Sequence, residues 1–421
     1  MSVAEFEKGR LSKPPTVTKH DRTFAIIDPR FCISEQRDNQ EPKYRGIDDL
    51  AKSQANLTVG ASDTYCPRDL DTFMVLARLQ RKYGAANIRM WPLDSPNAYK
   101  TIGLNEASMG ASHICCINPA NKPPYKARVL VQPFGSRRAP TNWGMVVTFL
   151  QFVAGEILQV TTGAFADDVF CVESHRLAMG GFWAFKQLCE VVGFHTPSKK
   201  DQPPSTGKVL LGADASLRDT HVQAMVMGDR KERLKAHILQ ALQSNSLTPA
   251  AARKLRGELG FYSPLLAGKL GRGMLAPLIR RQYGHRGVRA SPELSRNLLW
   301  RYSALGNLAP RTAPFKQLKP VGAHTDTQGR GHVAAVYYGV SRCSLRVHLP
   351  QWFCAMDEST EGESPISLCE LGASILMVYT ANDWNDTTPR TCVLCVDNQA
   401  AVAALIKGSS SSDLARVLVN L

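Results

Sequence analysis

The sequence predicts an α+β chain in three parts. Short strand-like runs alternating with helical ones are read over residues 1–225, a basic helical segment over 226–310, and an acidic segment of strand-like and helical runs over 318–421. Three observations predict it. At 421 residues the chain is too long for one ordinary domain, and two or three are expected at roughly 150 residues each. Hydrophobic residues make up 44% and charged residues 21%, a globular and not a disordered composition. Finally, the net charge of +15 is unevenly spread. Between Asp229 and Arg289, 13 Lys or Arg stand against 3 Asp or Glu, a net of +10, whereas from Ser341 to Leu421 5 basic residues face 9 acidic ones, a net of −4. The middle block therefore suits a polyanionic partner, and the acidic C-terminal part must do something else.

Targeting signals point to an intracellular chain, in cytoplasm or nucleus. The opening MSVAEFEKGR lacks a basic stretch followed by an apolar core, so secretion is not expected. No run reaches the roughly 18 apolar residues of a membrane span; Met145 to Leu158, with Gln151 and Glu156, reads as a buried helix. Eleven scattered Cys suggest reduced thiols and no disulfide framework. Cys392 and Cys395 form a C-x-x-C within an apolar strand-like run and read as core cysteines.

Short strand-like runs alternate with helical ones before Asp229. In KYRGIDDL, Lys43 and Arg45 alternate on one strand face and could clamp a triphosphate. In WPLDSPNAYKTIGL, Asp94 ends an apolar stretch and Tyr99 follows five residues on. In VLVQPFGSRRAPTNWGMVVTFL, Gln132 and Gly135 precede a helix containing Trp143, Val146, Phe149 and Leu150, and the Gly permits close backbone approach to a ligand. In FADDVF, Asp167 and Asp168 interrupt an apolar run. At a tight hairpin turn both could reach one divalent cation, which an otherwise costly pair of carboxylates in apolar context requires. Two-metal phosphoryl transfer needs carboxylates from separate strands converging on ions about 3.5–4 Å apart, and Asp94, Asp167 and Asp168 supply such a set.

The basic block reads as helices. In RKERLKAHILQALQ, Leu234, Ile238, Ala241 and Leu242 share a face. Thr248-Pro249 is an N-cap followed by Pro at the first helical position, and Leu255 and Leu259 continue a stripe beside Arg253, Lys254 and Arg256. Successive cationic helices suit phosphate tracking. Arg311 to Pro320 reads as a linker. Beyond it, Asp326 sits in a strand followed by Gly329, Gly331 and a second strand from Val333 to Tyr338. Glu370 lies in an apolar helical pattern with Leu368, Leu371, Ile375 and Leu376, either at a solvated edge or as a ligand. Asp397-Asn398 ends a strand and opens a helix. These three acids could converge on a metal pair.

In this order and at about this spacing, KYRGIDDL, the Asp94–Tyr99 segment, QPFGSRRAP, FADD and LGADASL resemble the motifs of retroelement reverse transcriptases, with LGADASL similar to the primer-grip turn. The flavour is nearest to DIRS-like and related eukaryotic retrotransposons, and the match covers roughly Lys43 to Leu270. The resemblance implies a right-hand polymerase, with fingers and palm (an antiparallel sheet backed by helices) over 1–225 and a helical thumb over 226–310. It implies RNA-directed DNA polymerase activity with RNA template, DNA primer, RNA–DNA hybrid and deoxynucleoside triphosphates as partners, and with no membrane. Asp94 and Asp167 would hold two Mg²⁺ ions (Mn²⁺ as substitute), with Asp168 assisting. Lys43 and Arg45 would neutralise the triphosphate, Tyr99 would stack under the sugar and block a 2′-hydroxyl, Gln132 and Gly135 would line the templating pocket, and Lys199 or Lys200 would serve as the acid for pyrophosphate. Three positions depart from the family pattern: Phe165 stands for a usual Tyr, Gly46 for a common Pro, and Pro96 removes a backbone donor just after Asp94.

The C-terminal order resembles a ribonuclease H domain, with Asp326, Glu370 and Asp397 as its first three metal-binding carboxylates and again two Mg²⁺ expected. The family's fourth acid has no match here except Asp413, which lies too close, so the resemblance implies an incomplete mixed α/β domain over 318–421, truncated before that ligand and with its ribonuclease activity in doubt. The alternative is a decayed retroelement relic that only binds nucleic acid.

Overall fold

The computed structural model describes residues 5, 7–12, 27–37, 40–60, 65, 68–118, 122–198, 201–262, 265, 271, 273–284, 289–307, 310–316, 321–328, 332–338, 342–348, 365–383 and 392–407. The chain divides into two compact units, Met1–Leu211 and Gly212–Leu421.

The first unit opens with β1 (Ile27–Asp28), then β2 (Arg30–Arg37) and β3 (Gln40–Asp48), which form an antiparallel pair closed by the Arg30–Asp48 ion pair at 2.6 Å. Helix α1 (Leu70–Lys82) is capped by Asp69, whose side chain accepts from the Asp71 N–H, the usual remedy for an orphan N-terminal donor. Strand β4 (Ile88–Asp94), short helix α2 (Glu106–Ala111), β5 (His113–Asn118) and β6 (Lys122–Arg128) follow. Helix α3 (Ala139–Glu156) precedes β7 (Thr162–Phe165), β8 (Asp168–Ser174), α4 (His175–Val191) and β9 (Gly207–Leu210). Two small sheets result, β1-β5-β6 and β4-β8-β7.

Sheet β4-β8-β7 organises the core. Strand β8 is buried on both faces through Val169, Phe170, Cys171, Val172 and Glu173. Alternation along the strand sends Val169 and Cys171 into a cluster with Trp91, Trp143, Phe182 and Phe185 of β4, α3 and α4. Phe170 instead meets Phe73 of α1 edge-on, centroids 6.4 Å apart. Burying each such ring stabilises by about 1.5–3 kcal/mol, so the sheet is held from both sides. The expectation of a helix buried throughout Met145–Leu158 is corrected: Trp143, Val147, Leu150 and Ala154 of α3 are buried, but Met145, Phe149 and Phe152 are exposed, because only one face of α3 meets the sheet.

The second unit contains β10 (Ala213–Leu217) and β11 (His221–Val226), then α5 (Gly228–Gln243), α6 (Pro249–Tyr262), α7 (Ala276–Tyr283) and α8 (Pro292–Gly306). The helices bury their expected stripes, Leu234, Ile238 and Ala241 on α5 and Leu255 and Leu259 on α6. Thr248 caps α6 as its sequence predicts, its hydroxyl accepting from the Ala251 N–H at 3.2 Å. The segment read as a linker begins instead as strand β12 (Arg311–Pro314), antiparallel to β11. Its Pro314 falls at the strand end, where a missing N–H costs no ladder bond.

Next comes a mixed sheet of order β15-β14-β13-β16, from β13 (Val321–Gln328), β14 (His332–Tyr338), β15 (Arg342–His348) and β16 (Cys392–Cys395). Strands β13 to β15 are antiparallel and β16 runs parallel to β13, so a crossover must carry the chain back. Helix α9 (Pro365–Asp383) lies in that crossover, and α10 (Gln399–Lys407) follows β16. Alternating Ala323, Val333, Ala335 and Tyr337 are buried with Leu368 and Met377 of α9. Cys395 is exposed, contrary to its reading as a core cysteine, because β16 lies at the sheet edge. Among the described residues, no helix is long and apolar enough to cross a membrane.

Candidate active sites

The first carboxylate set is built by a hairpin and a neighbouring strand. Strands β7 and β8 pair Phe165 with Asp168, leaving Ala166-Asp167 as a two-residue turn. Ala166 has φ 51, the positive value that primed hairpin turns require and that a non-glycine residue adopts at a cost. Strand β4 lies against β8 with Asp94 directly opposite Asp168. One step further, the Ser95 N–H donates to the Asp167 carbonyl at 3.0 Å. That bond makes Asp94–Asp168 the non-hydrogen-bonded kind of pair, with Cα atoms about 4.5 Å apart and side chains on one face. The ladder thus sets Asp168, not Asp167, across from Asp94, and holds Asp167 in the turn beside them.

Pro96 fits without loss. Asn97 has φ 61 and the Ala98 N–H donates to the Ser95 carbonyl at 3.3 Å. This is a turn with Pro at its second position and a left-handed third, where Pro is favoured and no donor is missed. The turn delivers Tyr99, half-buried on a single 3₁₀ turn (Ala98–Thr101), its ring edge-on to Phe134 at 5.4 Å. Burial, and then the charge of Asp167, raise the Tyr99 phenol above its ordinary range.

Gln132 is buried, and its amide is committed internally: its oxygen accepts from Asn142 at 2.8 Å and its nitrogen donates to Ser136 at 3.4 Å. Gly135 has φ +110, and a Cβ there would meet the Asp48 carbonyl oxygen at 2.1 Å. The close approach that requires this glycine is therefore to the chain's own backbone. Lys43 and Arg45 lie two apart on β3, hence on one face; their side chains, like Lys199 and Lys200 altogether, lie outside the described residues.

The second set is tighter. Asp326 of β13, Glu370 of α9 and Asp397 just beyond β16 each offer an oxygen within 4.8 Å of the others. The parallel register explains it: the last pair is His324 with Cys395, and two residues on, Asp326, still within β13, and Asp397, beyond the end of β16, stand at the same level. Glu370 is 1% exposed, which answers the question left open by its helix. Thr327 donates to it at 2.8 Å and Thr325 at 3.4 Å. Burial raises the Glu370 carboxyl above the usual range, the Thr327 hydroxyl opposes this, and the charges of Asp397 and Asp326 raise it further. Asn398 then caps α10, accepting from the Ala401 N–H at 3.0 Å. Asp413 lies outside the described residues.

Both sets are all-carboxylate, the hard oxygen donors that suit Mg²⁺ or Mn²⁺. They differ in closure: among the described residues, Asp94, Asp167 and Asp168 do not bring three oxygens within 4.8 Å of one another. Sequence reasoning missed Thr325 and Thr327, although a Thr-Asp-Thr alternation aims both hydroxyls at the face opposite Asp326. It also missed the indole of Trp143, which donates to the Ala166 carbonyl at 2.7 Å; a buried indole needing an acceptor was the available signal.

No family model matches the chain, and no curated protein does. Solved structures do. A foamy viral protease-reverse transcriptase in complex with double-stranded DNA (its dRH form) aligns over 99% of this chain and 65% of its own, at 13% identity and TM-score 0.53. The same viral protein with an RNA/DNA hybrid gives 100%, 50%, 12% and 0.53, and a further double-stranded DNA complex gives 95%, 74%, 14% and 0.51. The chain thus spans between half and three quarters of the length of those it matches. At these identities the likeness is one of architecture: mixed α/β, with several sheets and helices, this chain has a reverse-transcriptase-like fold.

Proposed function

We propose that the chain is an RNA-directed DNA polymerase, extending a DNA primer on an RNA template from deoxynucleoside triphosphates. The observation that carries this reading is the ladder register that sets Asp94 against Asp168 beside the Asp167 turn. Asp94, Asp167 and Asp168 would hold the Mg²⁺ pair. When bound, those ions would lower the barrier to attack of the primer 3′-hydroxyl on the α-phosphate and stabilise the leaving pyrophosphate. Lys43 and Arg45, on one face of β3, neutralise the triphosphate. Tyr99, its ring packed edge-on against Phe134, sits under the sugar and disfavours a 2′-hydroxyl. Gln132, locked by Asn142, and Gly135, seated on the Asp48 carbonyl, hold the loop that lines the templating pocket.

In this reading the first 225 residues are fingers and palm, residues 226–310 a thumb whose cationic α5 and α6 track the duplex phosphates, and residues 318–421 a ribonuclease H-like domain. Asp326, Glu370 and Asp397 would hold Mg²⁺ there, acting on the RNA strand of a hybrid. Assignment to a DIRS-like or related retrotransposon, working in cytoplasm or nucleus, rests on the sequence motifs alone.

RNA-templated primer extension tests the reading: the parent extends in Mg²⁺, and Asp167→Asn abolishes extension. Equal rates in parent and variant would remove the assignment. A second reading, a relic that binds nucleic acid without synthesis, is favoured by the open arrangement of the first carboxylate set. It predicts salt-sensitive duplex binding and no Mg²⁺-dependent product.

A further inference from the structure

The turn that carries Asp167 is held at two successive carbonyls. The Asp167 carbonyl accepts from the Ser95 amide at 3.0 Å. The carbonyl just before it, that of Ala166, accepts from the Trp143 indole at 2.7 Å. Trp143 is itself fixed: it is 1% exposed, packed among Val147, Leu150 and Ala164, with Phe194 edge-on at 5.4 Å. Strand β7 is held in the same way two residues before Ala166, where the Arg68 amide donates to the Ala164 carbonyl at 2.7 Å and the Tyr65 hydroxyl to the same oxygen at 3.2 Å.

These bonds have a directional consequence. The Ala166–Asp167 peptide is planar and trans, so its carbonyl and its N–H point opposite ways. With the carbonyl drawn onto the indole, the Asp167 N–H is turned away from the core, and the Asp167 Cα is fixed relative to Asp94 and Asp168. Without that bond the peptide between the two turn residues could flip, exchanging one turn type for another. The indole comes from α3, the helix whose Asn142 also holds the Gln132 amide.

We infer that Trp143 is a positioning residue, which sets the Ala166–Asp167 peptide plane and through it the Asp167 carboxylate for divalent-cation binding. The inference rests on the polymerase reading for its consequence in synthesis, but its effect on cation binding stands apart from it.

The test uses the full chain carrying Asp326→Asn and Asp397→Asn, so that the second carboxylate set is silenced. Mn²⁺ binding is followed by electron paramagnetic resonance, with primer extension and thermal melting measured in parallel. Trp143→Phe keeps the ring in the core and removes the donor. It should weaken Mn²⁺ binding about tenfold and lower kcat by about 10–100-fold, the usual range for losing a group that orients a metal ligand, while KM for the nucleotide stays within about twofold. Val147→Ala, a core truncation on the same helix, should lower the melting temperature and leave Mn²⁺ affinity unchanged. If Trp143→Phe does not fold, Ala166→Gly loosens the same peptide and should weaken Mn²⁺ binding in the same direction. Unaltered Mn²⁺ affinity in Trp143→Phe, or in Ala166→Gly where that variant must serve, overturns the inference, as does an equal loss in Val147→Ala. If the parent binds Mn²⁺ but extends nothing, the polymerase reading fails, and the Mn²⁺ data alone still decide the role of Trp143.

Discussion

Asp94 and Asp168 face each other across the β4–β8 ladder, 74 positions apart in sequence and joined by register alone. Two carboxylates so placed repel unless a cation or a proton lies between them. If the pair holds one cation, its members should not contribute independently.

Single substitutions Asp94→Asn and Asp168→Asn should each lower kcat for primer extension by about 10³-fold or more. The double variant should be little worse than the poorer single, as expected for groups that work together. Steady-state kinetics on the four proteins checks this; multiplicative losses would mean that the two act separately.

Gly135→Ala should destabilise the first unit by about 1–3 kcal/mol. The residue has φ +110 and its Cβ would strike the Asp48 carbonyl, so backbone must move. Thermal or denaturant melting reads the loss, and an unchanged midpoint would contradict the close approach.

How far the sequence reveals this molecule depends on the kind of contact. The helices of the basic block were legible because Leu234, Ile238, Leu255 and Leu259 recur at helical spacing, and the Thr248 cap because its chemistry is local. The convergence of Asp326, Glu370 and Asp397 was legible as order along the chain, but their closeness is a consequence of the parallel register. What was hidden is non-local. Nothing near Gly135 announces that Asp48 will sit against it, and nothing in FADD says that the ladder will oppose Asp168, and not Asp167, to Asp94. Arg311–Pro314 looked like a linker because its pairing partner, β11, lies some 90 residues upstream.

Glu370 makes the second set pH-sensitive. Its carboxyl is raised by burial and by its acidic neighbours, so the folded state binds a proton more tightly than the unfolded one. Without metal, stability should be greatest in acid and fall as pH climbs from the ordinary glutamate value through the raised one. A divalent cation should reverse that slope, because it binds the ionised set. Thr327→Val removes the hydroxyl that favours the charged form, so it should move the transition to higher pH. Melting curves over pH with and without Mg²⁺ check both; a Thr327→Val transition at lower pH would contradict the assigned cause.

Duplex binding should be strongly salt-dependent if α5 and α6 track phosphates. Arg253 and Lys254 are exposed on α6. Replacing both by Ala should reduce the slope of log K against log salt by about 2, roughly one per phosphate contact. Binding titrations from low to physiological salt give the slope, and an unaltered value would place the duplex elsewhere.

In the polymerase reading, Asp94 and the Asp167–Asp168 hairpin form one cation site that serves nucleotide transfer. Anomalous scattering from Mn²⁺ in crystals grown with a primer–template and a non-hydrolysable deoxynucleoside triphosphate tests it most directly. Mn²⁺ density is expected between Asp94 and that hairpin, in contact with the triphosphate. Density confined to Asp326, Glu370 and Asp397, with none beside Asp94, would contradict it.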